Sequence, residues 1–310
     1  MLKLSPARVR VLLAALIAGS LPSASVRAQP GSPAATTERK TMVNFSLVAD
    51  GSPVPSGTFT LGLRYKIAKG WHTYWDGLND TGMPASWQLE LPDGWTAGEA
   101  QWPAPVRYGI ENGVVDHVYM DEATILIPIT VPTSTQPGEA NIRVSSKWLV
   151  CEEACIPEKG DATLTVKVVA ELQASVVPEA IAKSRGRAIT RGWGELSQQA
   201  PTLAPTTKLE EAVLHVHVPG ATKLAFFPGR GSSPAEDLIA DGETEGNTLR
   251  IPMHQRTGEP LTVCGVIEVT RMSKNKTLQT SWHSFDFTPE TPVVSESKTE
   301  STSKPATNPE

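Results

Sequence analysis

The sequence predicts an all-β protein: an immunoglobulin-like β-sandwich followed by a second, smaller immunoglobulin-like β domain, with a short helical connector between them. Two observations support this. The chain has 26 prolines and 24 glycines among its 310 residues, scattered between short stretches in which apolar and polar residues alternate. These stretches fall into two groups, within residues 42–170 and 205–289. Many short strands separated by turn residues are typical of sandwich folds.

The N-terminus has the pattern of a secretory signal peptide over residues 1–28. Basic residues precede a short apolar core at residues 11–18, and the segment ends at Ala28 after small and aliphatic residues. The apolar core is shorter than the ~20 residues that cross a bilayer. We therefore expect an exported protein with a flexible leader at residues 29–41, no membrane span after cleavage, and cysteines that meet an oxidising compartment.

The charge of the chain argues against two classes of partner. The predicted signal peptide carries four basic residues and no acidic ones, so the net charge of −5 becomes −9 after cleavage. A protein this acidic is not expected to bind nucleic acid or an anionic membrane surface. At the other end, residues 290–310 are rich in Ser, Thr, Pro, Glu and Lys, which predicts a disordered tail.

The first domain, residues 42–170, contains a series of stretches with the period of a half-buried strand. The predicted strands are Val43–Val48, Thr58–Ile67, Trp71–Trp75, Ser86–Leu91, Ala123–Val131, Ala140–Val150 and Ala162–Val169. Within Trp71–Trp75 the two tryptophans share one face, which we assign to the core, whereas His72 and Tyr74 share the other.

Cys151 and Cys155 lie between the last two of these strands. If the chain reverses over residues 152–154, the two cysteines face each other at about 4.5–5.5 Å, within the roughly 4.4–6.8 Å Cα separation that a disulfide accepts. A disulfide that closes so short a loop contributes only about 2 kcal/mol, so the pair suits reversible thiol exchange better than stabilisation. A structural staple and, less favoured, a metal site stay open as alternatives.

Residues 103–122 show no regular period. A loop of that length inside a compact domain is often functional, although an ordinary surface loop is an equal alternative. Residues 171–204 form the predicted connector, with a short helix from Pro178 to Lys183, because proline is favoured in the first turn of a helix.

The predicted strands of the second domain are Ala212–Val218, Lys223–Phe227, Thr248–Pro252, Leu261–Val269 and Thr277–Phe287. His215 and His217 share one strand face, a spacing that copper or zinc could use. Further candidate ligands are Met253, His254 and His283, but nothing in the sequence brings them together, and we predict no metal and no other cofactor. Cys264 alternates with Val266 in an apolar strand, which predicts a buried, inert thiol.

The segment Trp148–Glu158 resembles the redox motif of the N-terminal periplasmic domain of the DsbD and ScsB thiol:disulfide interchange proteins. The resemblance covers residues 42–170 well and residues 171–290 loosely. Its other motifs, in order, are Gly70-Trp71-His72-Thr73-Tyr74-Trp75, Leu91-Pro92-Asp93-Gly94-Trp95, Gln101-Trp102-Pro103-Ala104-Pro105 and Ile127-Pro128-Ile129-Thr130-Val131-Pro132.

The resemblance implies a periplasmic oxidoreductase of the protein-disulfide reductase type, which passes reducing equivalents through Cys151 and Cys155. It also implies that Cys155 bears the mixed disulfide and that Cys151 resolves it. The implied partners are a membrane electron transporter of the DsbD type and periplasmic thioredoxin-like proteins. We expect a stand-alone domain pair without the transmembrane and thioredoxin-like domains of the family.

The resemblance further implies a cap over the disulfide, with Tyr74 beside the sulfur atoms. Tyr108-Gly109 matches the Tyr-Gly of the cap loop, which places Arg107 and its two predecessors where the best-known members carry two acids and a phenylalanine. We expect Tyr108 and Arg107 to cover the sulfur atoms. Since arginine offers no carboxylate for proton handling, an acid role falls to one of three glutamates or is absent. The three are Glu152, Glu153 and Glu111.

Glu152 and Glu153 also bear on reactivity, because like charges next to a cysteine disfavour its thiolate. We therefore expect a slow general reductant that reacts mainly with a docked partner. Two other functions remain open at this point: a non-enzymatic, secreted two-domain binding module with a structural disulfide, and a copper-handling protein. Thiol titration in graded reducing buffers separates the first from an exchange protein, and metal titration tests the second.

Overall fold

The computed structural model describes residues 41–109, 114–192, 202–205, 211–233, 243–254 and 261–288. The predicted signal peptide, nearly all of the predicted leader, the predicted C-terminal tail and Glu111 lie outside these ranges. Within them, no helix has the length and apolar character needed to cross a membrane.

The described residues are nearly all β-structure with one short helix, as predicted. The strands in chain order are β1 Val43–Ala49, β2 Thr58–Ile67, β3 His72–Tyr74, β4 Ser86–Glu90, β5 Thr96–Ala97, β6 Val106–Gly109, β7 Val115–Met120, β8 Glu122–Thr130, β9 Gly138–Cys151, β10 Cys155–Val168, β11 Ile189–Thr190, β12 Thr202–Pro205, β13 Glu211–His217, β14 Ala221–Pro228, β15 Glu243–Glu245, β16 Thr248–His254, β17 Val263–Met272 and β18 Leu278–Phe287. The helix α1, Glu179–Arg185, follows β10.

The first sandwich consists of two antiparallel sheets. One has the order β1-β2-β8-β5, and the other has the order β10-β9-β3-β7-β6 with β4 also paired to β9. The alternation seen in the sequence places one face of each strand in the core: Leu61 and Leu63 of β2 are fully buried, as are Ile142 and Val150 of β9. This core fixes the sheet that carries the two cysteines.

The second sandwich packs the sheet β11-β18-β17-β14 against the sheet β12-β13-β16-β15. Leu214, Leu249 and Ile267 belong to the core between them. The first of these sheets is also covered on its other face, where Phe227 and Val266 join the core of the first sandwich. The two sandwiches therefore share apolar contacts along β14 and β17.

Helix α1 begins one residue after Pro178, close to the predicted start, and extends to Arg185. Its apolar side enters the first sandwich, with Ile181 fully buried. The Ser184 hydroxyl donates a hydrogen bond to the Thr124 carbonyl of β8 over 2.7 Å. The helix thus serves as a cover for one sheet.

Residues 103–122 are not the irregular loop that the sequence predicted. They contain β6 and β7, which pair antiparallel with Tyr108 opposite Asp116. The prediction was wrong because β7 places Asp116 and His117 in the interior, where polar side chains interrupt the apolar period. These two polar residues are buried because both have hydrogen-bond partners there.

Candidate functional site

The two cysteines close the long hairpin formed by β9 and β10. Cys151 pairs directly with Cys155 in the ladder, and their sulfur atoms form a disulfide with the Cα atoms 4.1 Å apart. This separation is slightly shorter than the sequence led us to expect. The three residues of the turn between them are exposed. The disulfide therefore lies at the tip of a rigid two-stranded element.

The two cysteines differ in exposure. Cys151 is 3% exposed and packs in a small cluster with Tyr74 and Val118, to which Tyr108 and Leu149 add partly buried contacts. Cys155 belongs to the exposed residues. Because an attacking thiolate must approach a sulfur atom, this asymmetry makes Cys155 the more accessible end of the bond.

Tyr74 is the polar side chain in contact with both sulfur atoms. It lies on β3, and the first residue of that strand, His72, is paired with Cys151. The Tyr74 hydroxyl donates to Cys151 Sγ over 2.9 Å and lies 3.4 Å from Cys155 Sγ. Burial raises the pKa of Tyr74 above its ordinary value, so the phenol stays protonated at neutral pH and can act as a donor.

A carboxylate that the sequence analysis missed is connected to this tyrosine. The Tyr74 hydroxyl lies 3.2 Å from Thr81 Oγ1, and the Thr81 hydroxyl donates a short hydrogen bond to the buried Asp116. The backbone N–H of Thr81 donates to the other carboxylate oxygen over 3.0 Å. Because the Thr81 proton is given to Asp116, the single Tyr74 proton can be donated either to Cys151 Sγ or to Thr81 Oγ1. Asp116 therefore fixes the position of Thr81 beside Tyr74 but forms no continuous chain of donors to the sulfur atoms.

The loop that carries Thr81 is held along β7 by its own polar residues. Asn79 accepts a hydrogen bond from the His117 N–H over 2.7 Å, and Asp80 accepts one from the Val115 N–H over 2.7 Å. Gly82 follows, and a Cβ there would lie 2.0 Å from the Tyr74 ring. Only glycine allows the backbone to pass so close to this ring. The Asn-Asp-Thr-Gly sequence was the signal that could have indicated this arrangement.

Tyr108, on the edge strand β6, packs against the buried cluster that contains Cys151. Its ring packs against His72 with 4.4 Å between ring centroids, and the His72 ring lies 5.4 Å from that of Tyr74. Burial lowers the pKa of His72, although Asp116 acts in the opposite direction. Three aromatic rings therefore stand beside Cys151. Gly109, which follows Tyr108, has a φ of +92° and a Cβ there would lie 2.6 Å from the Val114 carbonyl oxygen, so the Tyr-Gly pair is needed locally.

Arg107 does not cover the sulfur atoms, and this corrects the expectation from the sequence. Its guanidinium donates to the Phe226 carbonyl over 2.9 Å and lies 5.5 Å from the centre of the Phe227 ring. Successive side chains of a strand point to opposite faces. Since Tyr108 faces the disulfide, Arg107 must face the second sandwich.

Glu152 and Glu153 are exposed in the turn between the cysteines. The Glu152 carboxylate lies beside Gly70, as a Cβ at that glycine would be 2.8 Å from Glu152 Oε1. Both glutamates therefore add negative charge close to the disulfide. The buried carboxylate near the sulfur atoms is that of Asp116, which holds Thr81 beside Tyr74, and not that of a turn glutamate.

An open groove of about 480 Å³ runs beside the hairpin and is mainly apolar. Met83 and Pro84 form one side, and Leu149 and Pro157 form another part of the lining. Met83 is 66% exposed. A partner that reaches Cys155 would therefore find apolar surface next to it.

The other sequence candidates lie in the second sandwich. His215 and His217 are on β13, whereas His283 is on β18 of the opposite sheet. Among the described residues, no group of three or more His, Cys, Asp or Glu side chains is placed to hold a metal ion. His283 is thus on a different sheet from His215 and His217.

Cys264 is half-buried, not buried as predicted. Val266, two residues further along β17, belongs to the core of the first sandwich, whereas Cys264 is not part of that core. Its Sγ contacts the Arg230 carbonyl oxygen at 3.2 Å, and burial raises the pKa of this thiol.

Comparison with known proteins agrees with this geometry. Residues 43–167 match the family model described as the N-terminal domain of thiol:disulfide interchange protein DsbD. No curated protein matches the chain.

Two solved structures are similar to the chain. The N-terminal periplasmic domain of ScsB from Proteus mirabilis aligns with a TM-score of 0.52 and 14% identity over 77% of this chain and 91% of that one, which shows a shared fold. The reduced N-terminal domain of DsbD from Neisseria meningitidis aligns with a TM-score of 0.25 and 18% identity over 40% of this chain and 83% of that one. Residues 43–167, which contain the disulfide, Tyr74 and Asp116, therefore belong to the DsbD N-terminal family of thiol:disulfide interchange proteins.

Proposed function

We propose that this protein carries out thiol–disulfide exchange with other proteins through Cys151 and Cys155, as a protein-disulfide reductase. The observation that carries the proposal is the asymmetry of the disulfide at the hairpin tip. Cys155 is exposed, whereas Cys151 is 3% exposed and touches a phenol donor. An exchange protein needs one accessible sulfur atom for its partner and a second one, held close by, to complete the reaction.

The reaction takes place in two steps. In the reduced protein, the Cys155 thiolate attacks a disulfide of the partner, forms a mixed disulfide and releases one partner cysteine as its thiolate. The Cys151 thiolate then attacks Cys155 Sγ, which breaks the mixed disulfide and releases the second partner cysteine. Two electrons pass to the partner, and the Cys151–Cys155 disulfide forms again.

Tyr74 supports the step in which Cys151 carries charge. Its hydroxyl is already directed at Cys151 Sγ, and a hydrogen bond to a thiolate favours the charged form. Asp116 accepts the Thr81 hydroxyl proton and fixes Thr81, which lies 3.2 Å from the Tyr74 oxygen and helps to hold the phenol in place. These two residues act through Tyr74 and are positioning residues.

Thioredoxin-like proteins in the periplasm, together with a membrane electron transporter, are the partners we propose. The family model is that of a thiol:disulfide interchange protein, and the related ScsB domain from Proteus mirabilis is periplasmic. The N-terminal signal pattern agrees with export. The apolar groove beside the hairpin supports docking of a protein rather than reaction with a small disulfide alone.

The test is to trap the mixed disulfide. A reduced Cys151→Ala variant is mixed with an oxidised thioredoxin-like protein, and covalent complexes are followed by non-reducing electrophoresis and mass spectrometry. We expect a complex linked through Cys155 that accumulates more than in the parent, because Cys151 is absent and only the released partner thiolate can reverse the reaction.

The matched control is Cys155→Ala, which leaves the buried Cys151. We expect it to form little or no complex, since Cys151 is covered. Equal trapping by the two variants would contradict the asymmetry on which the proposal rests, and no trapping by either would argue for a structural disulfide in a binding module.

A further inference from the structure

The strand that covers Cys151 also touches the second sandwich. We call β6, Val106–Gly109, the cap strand. It is the edge strand of its sheet, where its ladder partner is β7. Within this short strand, Tyr108 faces the disulfide cluster, and Arg107 on the opposite face contacts Phe226 and Phe227 of β14.

The contact with β14 is built from both backbone and side-chain groups. The Arg107 guanidinium donates to the Phe226 carbonyl over 2.9 Å and packs over the ring of the buried Phe227. The ring of His117, the ladder partner of Arg107, meets the same Phe227 ring edge-on at 5.4 Å. A charged donor on a backbone carbonyl and a cation over an aromatic ring both favour one fixed position of Arg107.

The second sandwich is held in place by contacts that do not involve the cap strand. The Leu78 N–H donates to the Pro228 carbonyl over 2.9 Å, and Arg230 forms an ion pair with Asp76. Both contacts attach to the segment after β3. The surface that Arg107 binds is therefore a fixed support, and the cap strand would have to leave it in order to move outward.

We propose that the second sandwich holds the cap strand closed over Cys151 through Arg107, so that thiols and disulfides from outside reach Cys155 instead of Cys151. Arg107 is a positioning residue in this proposal, since it acts through Tyr108. The second sandwich would thereby help to determine which of the two sulfur atoms an external thiol attacks. The proposal rests on the proposed exchange function for its biological meaning, but its test does not.

The choice of sulfur decides the outcome of exchange. A thiolate that attacks Cys155 Sγ breaks the disulfide, forms a mixed disulfide at Cys155 and releases Cys151 as the thiolate beside Tyr74. Attack at Cys151 would instead release Cys155 as an exposed thiolate and leave the partner attached under the cap strand. A closed cap strand keeps the first outcome dominant.

The test measures the accessibility of each thiol in the full chain. The reduced protein is treated with iodoacetamide, and adducts at Cys151 and Cys155 are quantified over time by mass spectrometry. In the parent we expect Cys155 to react faster. Arg107→Ala should raise the labelling rate of Cys151 by about tenfold, which corresponds to about 1.4 kcal/mol, and should leave the rate of Cys155 unchanged.

Two further variants make the result specific. Arg230→Ala removes the ion pair to Asp76, which joins the sandwiches without touching the cap strand, and should not change the ratio of the two rates. Tyr108→Ala should raise labelling of Cys151 by itself. Adding Arg107→Ala to Tyr108→Ala should then have little further effect, because both act on the same cover.

Three results would overturn the proposal. One is unchanged Cys151 labelling in Arg107→Ala while Tyr108→Ala increases it, since the cover would then not depend on the second sandwich. The second is an equal increase in Arg230→Ala, which would indicate general loosening. The third is no increase in Tyr108→Ala, which would mean that Tyr108 is not the cover. If Arg107→Ala lowers the melting temperature strongly, Phe227→Leu replaces it. This variant removes the aromatic ring under Arg107 but keeps the Phe226 carbonyl, so we expect a smaller rise in the labelling rate of Cys151.

This labelling experiment is independent of any partner protein. If mixed disulfides with thioredoxin-like proteins are never trapped but Arg107→Ala still exposes Cys151, the exchange function fails and the role of Arg107 stands. If mixed disulfides are trapped while Arg107→Ala does not change the labelling of Cys151, the exchange function stands and the role of Arg107 fails.

Discussion

The hydroxyl of Tyr74 lies 2.9 Å from the sulfur of Cys151, inside a cluster that water reaches poorly. This places a neutral donor at the atom that becomes negatively charged when the disulfide opens. In a poorly solvated site, a hydrogen bond to a charged group counts for more than one to a neutral group. Tyr74 therefore links the backbone of β3 to the redox chemistry of the hairpin.

Tyr74→Phe should make the Cys151 thiolate harder to form. Loss of one hydrogen bond to a charged group is worth about 1.5–3 kcal/mol, so the midpoint of thiolate formation should rise by about one pH unit or more. The measurement is the pH dependence of thiolate absorbance near 240 nm in a reduced background that carries Cys155→Ser and Cys264→Ser, so that Cys151 is the one remaining thiol. Tyr65→Phe is the matched control, as its hydroxyl contacts Ser146 and not the sulfur atoms. Equal midpoints in the parent and Tyr74→Phe would rule out this role.

The β fold could be predicted from the sequence because apolar and polar residues alternate wherever a strand has one buried face and one exposed face. β2 has the predicted bounds, Thr58–Ile67, and the hairpin places Cys151 opposite Cys155 as the reversal at residues 152–154 required. The Cys-x3-Cys motif could be recognised because its two reactive residues are only four positions apart and a short turn brings them together.

The supporting residues could not be predicted in the same way. Asp116 lies 35 residues from Thr81 in sequence, and only the pairing of β3 with β7 brings them together. The strand β6 sets the direction of Arg107 opposite to that of Tyr108, but its partners, Phe226 and Phe227, are far away in the sequence, and Phe226 lies 119 residues from Arg107. Asp116 is a buried polar residue in β7, so the alternation of apolar and polar residues that identifies a strand is interrupted there.

Reduction of the disulfide should leave the fold intact. The short loop that it closes contributes about 2 kcal/mol, and a domain of this size loses about 2–4 °C of melting temperature for each kcal/mol. We expect mild dithiothreitol to lower the melting temperature by less than about 10 °C. A Cys151→Ser, Cys155→Ser double variant is the control and should not respond to the reductant. A larger fall in the parent alone would identify a structural staple.

The stability of the protein should decrease as the pH falls from about 6.5 towards 4. Burial lowers the pKa of His117 from 6.5 to about 4, so the folded protein keeps this ring neutral while the unfolded chain takes up a proton. Proton uptake therefore stabilises the unfolded state over this range, and the free energy of unfolding falls by up to about 3 kcal/mol for His117. Burial lowers the pKa of His72 as well, which acts in the same direction.

Urea denaturation of the parent and of His117→Gln, each at pH 8 and at pH 4.5, measures this effect. The comparison at pH 8, where the ring is neutral in both states, gives the packing cost of the substitution alone. The variant should then lose less stability than the parent on acidification. Equal losses would show that His117 is protonated in the folded protein or does not titrate in this range.

Removal of the two glutamates beside Cys151 should speed the reduced protein's reaction with a small neutral disulfide. Like charges next to a nascent thiolate disfavour it, so Glu152→Gln with Glu153→Gln should lower the midpoint of thiolate formation. Because both side chains are exposed, we expect a modest effect, roughly two- to threefold in rate at neutral pH. Screening at 1 M salt, where the Debye length is about 3 Å, should remove most of it.

The control for this experiment removes two negative charges at the other end of the same hairpin. Glu139 is next to the first residue of β9, and Glu171 follows the end of β10, so both lie about 40 Å from the cysteines along the strands. Glu139→Gln with Glu171→Gln should therefore leave the rate unchanged at low and high salt. The disulfide used is 2-hydroxyethyl disulfide, because glutathione disulfide is itself negatively charged. A rate increase that is equal in the two double variants, or that persists at 1 M salt, would show that local charge at the turn does not slow the thiol.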